Sequence, residues 1–222
     1  MFSRRSSTNK NKTIVIAAGG TGGHVFPALA IAQQLIKNGF KVIWLGTAEG
    51  IESSVAPDND IPLHTLQVVG IRGKSFFQKA TAPLLMARGI YHALLLLRKH
   101  RPCCVLGMGG FASGAGGTAA FLMSIPLVIQ EQNAIAGTTN RILARFAIKI
   151  FTGFPNVFAG HKAASYSGNP LRTSFNQQLL SSESASKDER SESTPINILV
   201  LGGSLGAQSL NQVVPSALAT LG

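Results

Sequence analysis

A glycine-rich segment, Gly19-Gly20-Thr21-Gly22-Gly23-His24, constrains the fold of this chain most strongly. A short apolar run precedes it, from Ile14 to Ala18, and a stretch typical of a helix follows it. A strand that ends in glycines and feeds a helix brings bare backbone N–H groups and the positive end of the helix dipole to one point. The segment therefore predicts a strand–turn–helix unit that favours phosphate or diphosphate.

The same alternation continues along the chain. The first helix is predicted to start at Pro27 and to end at Asn38-Gly39, because proline favours a helix start and glycine a helix end. Further strands are predicted at residues 41–45, 103–106, 127–130 and 149–152, and further helices at 83–99, 118–123 and 139–147. Strands that alternate with helices predict an α/β fold with a parallel sheet covered on both faces.

The first turn does not fit the patterns of two common nucleotide-binding folds. In the G-x-G-x-x-G frame that begins at Gly20, Val25 stands where the third glycine belongs. The second strand ends in Gly46-Thr47, without the acidic residue that binds a ribose. The Gly-Lys-Ser/Thr of a P-loop is also missing from the turn. These departures argue against a dinucleotide oxidoreductase and against a P-loop nucleotidase.

Other polar and glycine-rich segments follow strands in the same way. Residues 107–118 hold six glycines in twelve positions, which predicts a second anion-binding loop. The segments 131–133 and 168–172 also come just after strands, so their polar side chains are expected to converge on the carboxyl edge of the sheet. His24 lies at this edge and is a candidate general base, the alternative being a histidine that only caps or orients the turn.

Charge and hydropathy limit the partners and the location. The chain has 20 Lys and Arg against nine Asp and Glu, which indicates an anionic partner such as nucleic acid, anionic lipid or a phosphorylated metabolite. No secretory signal is recognisable, and Pro83, Arg88 and His92 interrupt the longest apolar region, so a cytoplasmic protein is expected. The adjacent Cys103 and Cys104 are predicted to be buried core thiols.

Composition also predicts the domain organisation. Residues 1–12 form a disordered leader, 13–180 a first domain, and 181–195 a linker rich in serine and charged residues. Ile198 to Gly206 repeats the pattern of Ile14 to Gly23, which indicates that a second unit begins within residues 196–222. Because a domain needs about 50 residues, this second domain is expected to be truncated.

Six segments, taken in order, resemble the MurG family of peptidoglycan N-acetylglucosaminyltransferases. They are Gly19-Gly-Thr-Gly-Gly-His-Val-Phe-Pro27, Gly70-Ile-Arg-Gly-Lys74, Gly107-Met-Gly-Gly-Phe-Ala-Ser-Gly114, Glu131-Gln-Asn133, Gly168-Asn-Pro-Leu-Arg172 and Gly202-Gly-Ser-Leu-Gly-Ala207. The resemblance implies a GT-B fold, in which two Rossmann-like domains face a cleft. It further implies transfer of N-acetylglucosamine from UDP-N-acetylglucosamine to lipid I, with inversion, to form lipid II. No metal and no cofactor are implied.

Roles for individual residues follow from their positions in these motifs. The resemblance implies that the UDP-sugar contacts Thr21, Gly22, Gly23, Asn133, Arg172 and Ser204. It implies that the acceptor diphosphate lies against Gly19, Gly20, Gly109, Gly110, Phe111 and Ser113. His24 is the candidate base. Two positions depart from the family pattern, since Gln130 stands where histidine is expected and Phe111 where tyrosine is expected.

A segment of interleaved basic and apolar residues predicts contact with an anionic membrane. Its members are Arg72, Lys74, Phe76, Phe77, Lys79, Leu84 and Leu85. The alternative is an ordinary amphipathic core helix with basic flanks. With the resemblance, the segment implies a peripheral protein on the cytoplasmic face of the inner membrane. The implied partners are UDP-N-acetylglucosamine, lipid I, the membrane surface and a separate donor-domain chain, and nucleic acid is not among them.

Two further hypotheses remain open from the sequence. The chain could be a catalytically inactive truncated relic, or a membrane-binding subunit that needs a separate donor-domain chain. It could also be a related GT-B transferase or a nucleotide-sugar epimerase, because fold does not fix function.

Overall fold

Parallel strands and helices alternate through most of the chain. The computed structural model describes residues 12–66, 76–172, 198–202 and 207–220, with the backbone alone for 76–82. The strands are β1 (Thr13–Ala17), β2 (Lys41–Thr47), β3 (Leu63–Leu66), β4 (Cys104–Gly107), β5 (Leu127–Glu131), β6 (Lys149–Thr152) and β7 (Ala164–Tyr166). The first five helices are α1 (Gly22–Lys37), α2 (Glu52–Val55), α3 (Phe76–His100), α4 (Gly110–Leu122) and α5 (Thr138–Leu143), with a short 3-10 helix at Pro57–Asn59.

The seven strands form one parallel sheet in the order β3-β2-β1-β4-β5-β6-β7. This confirms the predicted α/β fold class. The chain builds outward from β1 to β3, crosses back, and continues on the other side of β1 with β4. Strand order therefore reverses between β1 and β4, and ligands of open α/β sheets bind at such a switch point.

The alternation of side chains along the central strands builds a core on each face of the sheet. Val15 and Ala17 of β1 point to one face, where they pack in a cluster with residues of α3, α4 and α5. Ile14 and Ile16 point to the other face, where α1 covers them with Val25, Ala28, Leu29 and Ala32. Because both faces of β1 are buried, the strand consists of consecutive apolar residues.

The two helices that follow β1 and β4 begin earlier than predicted. Helix α1 begins at Gly22, so Pro27 lies inside it and does not mark its start. A proline inside a helix removes one backbone hydrogen bond, but burial of the apolar face of α1 against the sheet keeps the helix continuous. Helix α4 begins at Gly110, so most of the glycine-rich segment is helical and does not form a loop.

Three short elements, β3, β7 and α2, were not predicted. The two strands have four and three residues and lie at the edges of the sheet, where only one neighbour pairs with them. The prediction of two core thiols is wrong for Cys103, which is exposed, whereas Cys104 is half-buried. Burial raises the pKa of the Cys104 thiol to about 11, so this thiol stays protonated near neutral pH.

The chain divides into two compact units, Met1–Asn176 and Gln177–Gly222. In the second unit, helix α6 spans Gln208–Ala219. Residues 198–202, where the sequence pattern of β1 recurs, are exposed and belong to no strand in the described part of this unit. The predicted leader, linker and domain boundaries stay predictions. Within the described residues, no helix is long and apolar enough to cross a membrane.

Candidate functional site

The two glycine turns meet at the switch point of the sheet. Strands β1 and β4 are neighbours, and the Met108 amide, just after β4, donates to the carbonyl of Ala17 at 3.0 Å. A Cβ added at Gly110 would lie 2.6 Å from the carbonyl oxygen of Gly19. The two turns are therefore in backbone contact, and only glycine at position 110 permits this approach.

His24 lies in the first turn of α1 and faces the second glycine turn. Its Nδ1 is 3.4 Å from the Thr21 hydroxyl, and a Cβ at Gly109 would lie 2.8 Å from its Nε2. Burial lowers the pKa of His24 from its usual 6.5, and the carboxylates of Glu131 and Glu52 offset this shift in part. The imidazole is therefore neutral near pH 7 and able to accept a proton.

A buried carboxylate, Glu131 at the end of β5, organises the loop that follows. Its Oε1 accepts hydrogen bonds from the backbone amide and the side-chain amide of Asn133, both at 3.0 Å. Its Oε2 accepts from the Gly137 amide and from Asn140 Nδ2, also at 3.0 Å. These four bonds fix the loop from β5 to α5, and they hold the exposed Asn133 at the carboxyl edge.

A cavity of about 390 Å³ opens at this edge. Gly23 and Phe26 of α1, Gln132, Asn133, Asn169 and Arg172 are among the residues that line it. The guanidinium of Arg172 lies 4.8 Å from the centre of the Phe26 ring, within the range of a cation–π contact. The structure thus confirms that the polar segments after β5 and β7 converge with the first glycine turn.

Asn169 is fixed at the cavity wall by its neighbours. Its Nδ2 donates to the Gln132 carbonyl at 3.1 Å, and its Oδ1 accepts from Gln130 Nε2 at 3.4 Å. A Cβ at Gly153 would collide with the Asn169 amide. The glycine after β6 therefore provides the space that Asn169 occupies.

Packing within the protein accounts for most glycines of the second glycine segment, and the predicted anion binding by this segment stays a prediction. A Cβ at Gly107, Gly116 or Gly117 would meet Ser113, Leu45 or Leu143 at 2.8 Å or less. Gly109 and Gly110, which have positive φ angles of 99° and 76°, are the glycines of this segment that face the first turn. Close packing of protein against protein thus explains most of these glycines.

Two predicted contact residues of this segment point into the protein. Ser113 is fully buried, and its hydroxyl has no hydrogen-bond partner in the described structure. Phe111 is half-buried and packs against the core cluster on the α4 side of the sheet. In this arrangement the Ser113 side chain does not reach a ligand at the surface, and the aromatic ring of Phe111 contributes to the core.

The sequence patterns assigned no individual role to three buried polar residues at the site. Glu52 is fully buried beneath the first glycine turn, Asn140 on α5 donates to Glu131, and Gln132 lies in the cavity wall. Both polar atoms of the Gln132 amide lack a partner among the described residues. Gly46 and Gly50, which both precede Glu52 in the chain, were the available signal, because glycine permits the close approach of a neighbouring group.

The residues predicted to contact a membrane are only partly described. Two of them, Arg72 and Lys74, lie outside the described residues, and helix α3 contains Phe76, Phe77 and Lys79. The predicted donor contact Ser204 also lies outside the described residues. Leu84 on α3 is 73% exposed and Leu85 is half-buried.

A model of the glycosyltransferase family 28 N-terminal domain matches residues 14–152, which include both glycine turns and the sheet from β1 to β6. The chain belongs to glycosyltransferase family 28. A relative from Alkalilimnicola ehrlichii is 47% identical over 208 residues and bears the name UDP-N-acetylglucosamine--N-acetylmuramyl-(pentapeptide) pyrophosphoryl-undecaprenol N-acetylglucosamine transferase. This alignment covers 94% of the chain and 57% of the relative. The predicted resemblance to the MurG family is confirmed.

Solved structures agree with this membership of family 28. The crystal structure of Acinetobacter baumannii MurG is 37% identical with a TM-score of 0.73, and it covers 93% of this chain and 57% of that one. The sheet is thus the Rossmann-like N-terminal fold of a GT-B protein. A UDP-GlcNAc 2-epimerase from Neisseria meningitidis, at 16% identity and a TM-score of 0.54, covers 78% of this chain and 49% of that one and shares the fold alone.

Proposed function

We propose that this chain carries the acceptor half of a hexosyltransferase that moves N-acetylglucosamine from UDP-N-acetylglucosamine to lipid I. The observation that carries the proposal is the cavity at the carboxyl edge. There Gly23, Asn133 and Arg172, which hold matching positions in three separate family motifs, line one space. The activity in the name of the 47% identical relative supports the same reaction.

The acceptor diphosphate would lie against the two glycine turns. Helix α1 begins at Gly22, so the amides of Gly22 and Gly23 precede the first backbone hydrogen bonds within the helix. These amides and the positive end of α1 favour an anion at this point. Gly109 and Gly110 would border the same space, because their turn is in contact with Gly19.

His24 would act as the general base. As the acceptor hydroxyl oxygen bonds to the anomeric carbon of N-acetylglucosamine and the bond from that carbon to UDP breaks, the neutral imidazole would take the hydroxyl proton. Attack from the face opposite UDP gives inversion. General-base catalysis contributes about 100-fold or more to a rate, so His24→Ala should lower kcat at least that much.

The donor contacts are proposed at Thr21, Gly22, Gly23, Asn133, Arg172 and Ser204, so Gly22 and Gly23 would border both substrates where these meet. Gln132 is added to this set because its buried amide lacks a partner within the described structure and lines the cavity. A buried amide without hydrogen bonds costs about 1–3 kcal/mol. A hydroxyl or amide of the substrate that reached Gln132 would remove that cost.

The reaction is best tested by radiolabelled N-acetylglucosamine transfer from UDP to lipid I. The chain spans about 57% of the length of its relatives, so the assay uses the chain alone and the chain with a carboxyl-terminal half supplied from a relative. Transfer in the supplemented reaction is expected. No transfer in either reaction would contradict the proposal and favour an inactive relic.

His161→Ala is a matched control for His24→Ala in this assay. His161 lies in the connection that enters β7 at the amino edge of the sheet, away from the cavity. Its replacement should leave transfer near the wild-type rate. A loss for His24→Ala much smaller than about 100-fold would assign His24 an orienting role.

A peripheral location on the cytoplasmic face of the inner membrane is proposed as well. The exposed apolar side chains of α3, Leu84, Tyr91 and Leu95, support contact with lipid. Co-sedimentation with anionic vesicles should therefore decrease when Phe76, Phe77 and Lys79 are replaced together. Replacement of Leu122, which is 59% exposed at the end of α4, is the control. Equal binding by the triple variant and the wild type would contradict membrane contact through this helix.

A further inference from the structure

Glu52 is a fully buried carboxylate that lies beneath the first glycine turn. Its Oε2 accepts a hydrogen bond from the Gly20 amide at 3.1 Å. Its Oε1 accepts two, from the amide of Thr47 at 2.8 Å and from the Thr47 hydroxyl at 2.6 Å. A buried charge is costly unless such bonds compensate it. The carboxylate thus ties the turn after β1 to the end of β2.

Three glycines from different segments make room for this carboxylate. A Cβ at Gly19 would lie 2.5 Å from Glu52 Oε1, and a Cβ at Gly46 would lie 2.6 Å from Glu52 Cγ. A Cβ at Gly50 would collide with the carboxylate itself. The side chain therefore occupies a slot whose walls are backbone, and the slot leaves it little freedom to move.

The Gly20 peptide depends on Glu52 for its orientation. Gly20 is exposed, its φ is +99°, and a Cβ there would have no heavy atom within 4 Å. Side-chain packing therefore does not hold this peptide in place. The Gly20 N–H donates to Glu52, whereas the amides of Gly22 and Gly23 precede the first backbone hydrogen bonds within α1 and can donate to a ligand.

We propose that Glu52 is a positioning residue for the acceptor diphosphate. Glu52 holds the Gly20 amide inward, so that the first-turn amides of α1 meet the phosphate oxygens. This role rests on the proposed function. The positioning role and a simple charge effect predict opposite changes in diphosphate affinity when the Glu52 carboxylate is replaced. A negative charge close to an anion weakens anion binding, so removal of the Glu52 charge alone would strengthen binding of a diphosphate. Loss of positioning would weaken it.

The variant Glu52→Gln separates the two effects. Glutamine keeps one carbonyl oxygen, which can still accept the two hydrogen bonds from Thr47, and places an NH₂ group opposite the Gly20 N–H. The Gly20 contact is therefore broken while the Thr47 contacts remain. Glu49→Gln is the control, because Glu49 is exposed in the same loop and its replacement removes the same charge.

Inorganic pyrophosphate is titrated into the full chain, and binding is monitored by calorimetry and by the amide ¹H–¹⁵N spectrum. Glu52→Gln should raise the pyrophosphate Kd by about tenfold or more and should shift the Gly20 amide signal. Glu49→Gln should leave that signal in place, with a Kd equal to or lower than that of the wild type. An unchanged or lower Kd for a folded Glu52→Gln protein would overturn the positioning role.

Two further outcomes keep the proposals distinct. If Glu52→Gln fails to fold, Glu52→Asp retains the charge but is too short to reach both partners, and a wild-type Kd in that variant would overturn the role. If the wild type does not bind pyrophosphate, the proposed acceptor site fails. The Gly20 signal needs no ligand, so a wild-type signal in Glu52→Gln would still overturn the Glu52 contact.

Discussion

The absence of a side chain at Gly109 leaves room for the ring of His24, the candidate general base. Its φ of +99° is a conformation that other residues adopt at a cost of about 1–3 kcal/mol. A Cβ there would lie 2.8 Å from His24 Nε2. Gly109→Ala should therefore destabilise the fold by about that amount and also displace the His24 ring, lowering transfer in the supplemented assay.

Gly114 is the matched control for Gly109, because it lies inside α4. A Cβ at Gly114 would meet Thr139 at an ordinary 3.5 Å, and alanine stabilises a helix interior by about 0.5–1 kcal/mol relative to glycine. Gly114→Ala should therefore be neutral or stabilising in urea denaturation. Equal changes in stability for the two variants would argue against the special position of Gly109.

His24 is also expected to make the kcat/KM of transfer depend on pH. Burial places its pKa below the usual 6.5, with partial compensation from Glu131 and Glu52. The unprotonated imidazole is the form that accepts a proton. The value of kcat/KM should therefore stay constant near pH 7 and decrease only as the pH falls through this lowered pKa. In His24→Ala this decrease should disappear from the profile of the residual activity. Its persistence there would assign the titration to another group.

Among the elements, α4 depends on small residues to pack against the sheet. A Cβ at Gly116 would lie 2.8 Å from Leu45 Cδ2 and 3.1 Å from Ala17 Cβ, and both neighbours are fully buried. Overpacking of a core costs about 1–3 kcal/mol, more than the helix gains from alanine. Gly116→Ala should therefore lower the free energy of unfolding, in contrast to Gly114→Ala in the same helix. Stabilisation by both variants would contradict this packing.

Sequence patterns predicted the elements that carry strong periodic signals. Strands β1, β2, β4, β5 and β6 each contain a run of apolar residues, most of them buried, and the predicted parallel arrangement is confirmed. The helical start of α4 was not predictable from the glycines of residues 107–118, because glycine favours loops by propensity and only tertiary packing explains a helix here. The short edge strands β3 and β7 gave no such signal.

The site was predictable only for residues that protrude from the sheet edge. Asn133 follows β5 and Arg172 follows β7, and both were expected at the carboxyl edge of the sheet although β7 itself was not predicted. Glu52 accepts hydrogen bonds from Gly20 and Thr47, and the side-chain amide of Gln132 is buried without a partner among the described residues. Pattern and spacing contain no information on those contacts, and the three-dimensional arrangement was needed to find them.

At the scale of the whole molecule, burial of carboxylates makes the first unit more basic outside than its composition indicates. Through residue 180 the chain has 18 basic and five acidic residues. Two of these acids, Glu52 and Glu131, are fully buried and engaged in hydrogen bonds. Glu49, Asp58 and Asp60 are the exposed ones. An excess of positive charge at the surface attracts anions, which supports the proposed diphosphate site and the proposed contact with an anionic membrane.

The stability of the whole fold should depend on pH through His64 on β3 and His100 at the end of α3. Their rings are 5.3 Å apart. Burial lowers the pKa of both below 6.5, and the positive charge of Lys99 adds to the effect. The unfolded chain therefore binds protons more readily than the folded chain, so the stability is fully present above about pH 6.5 and is lost as the pH falls through the lowered values.

Thermal unfolding checks this dependence. The Tm should be lower at about pH 5.5 than at about pH 7.5, and the difference should be smaller when His64 and His100 are both replaced by glutamine. Glutamine removes the titration but keeps a polar side chain of similar reach at each position. The double variant still contains His24, so a part of the decrease should remain. An identical decrease in the wild type and the double variant would show that the pair does not couple protonation to folding.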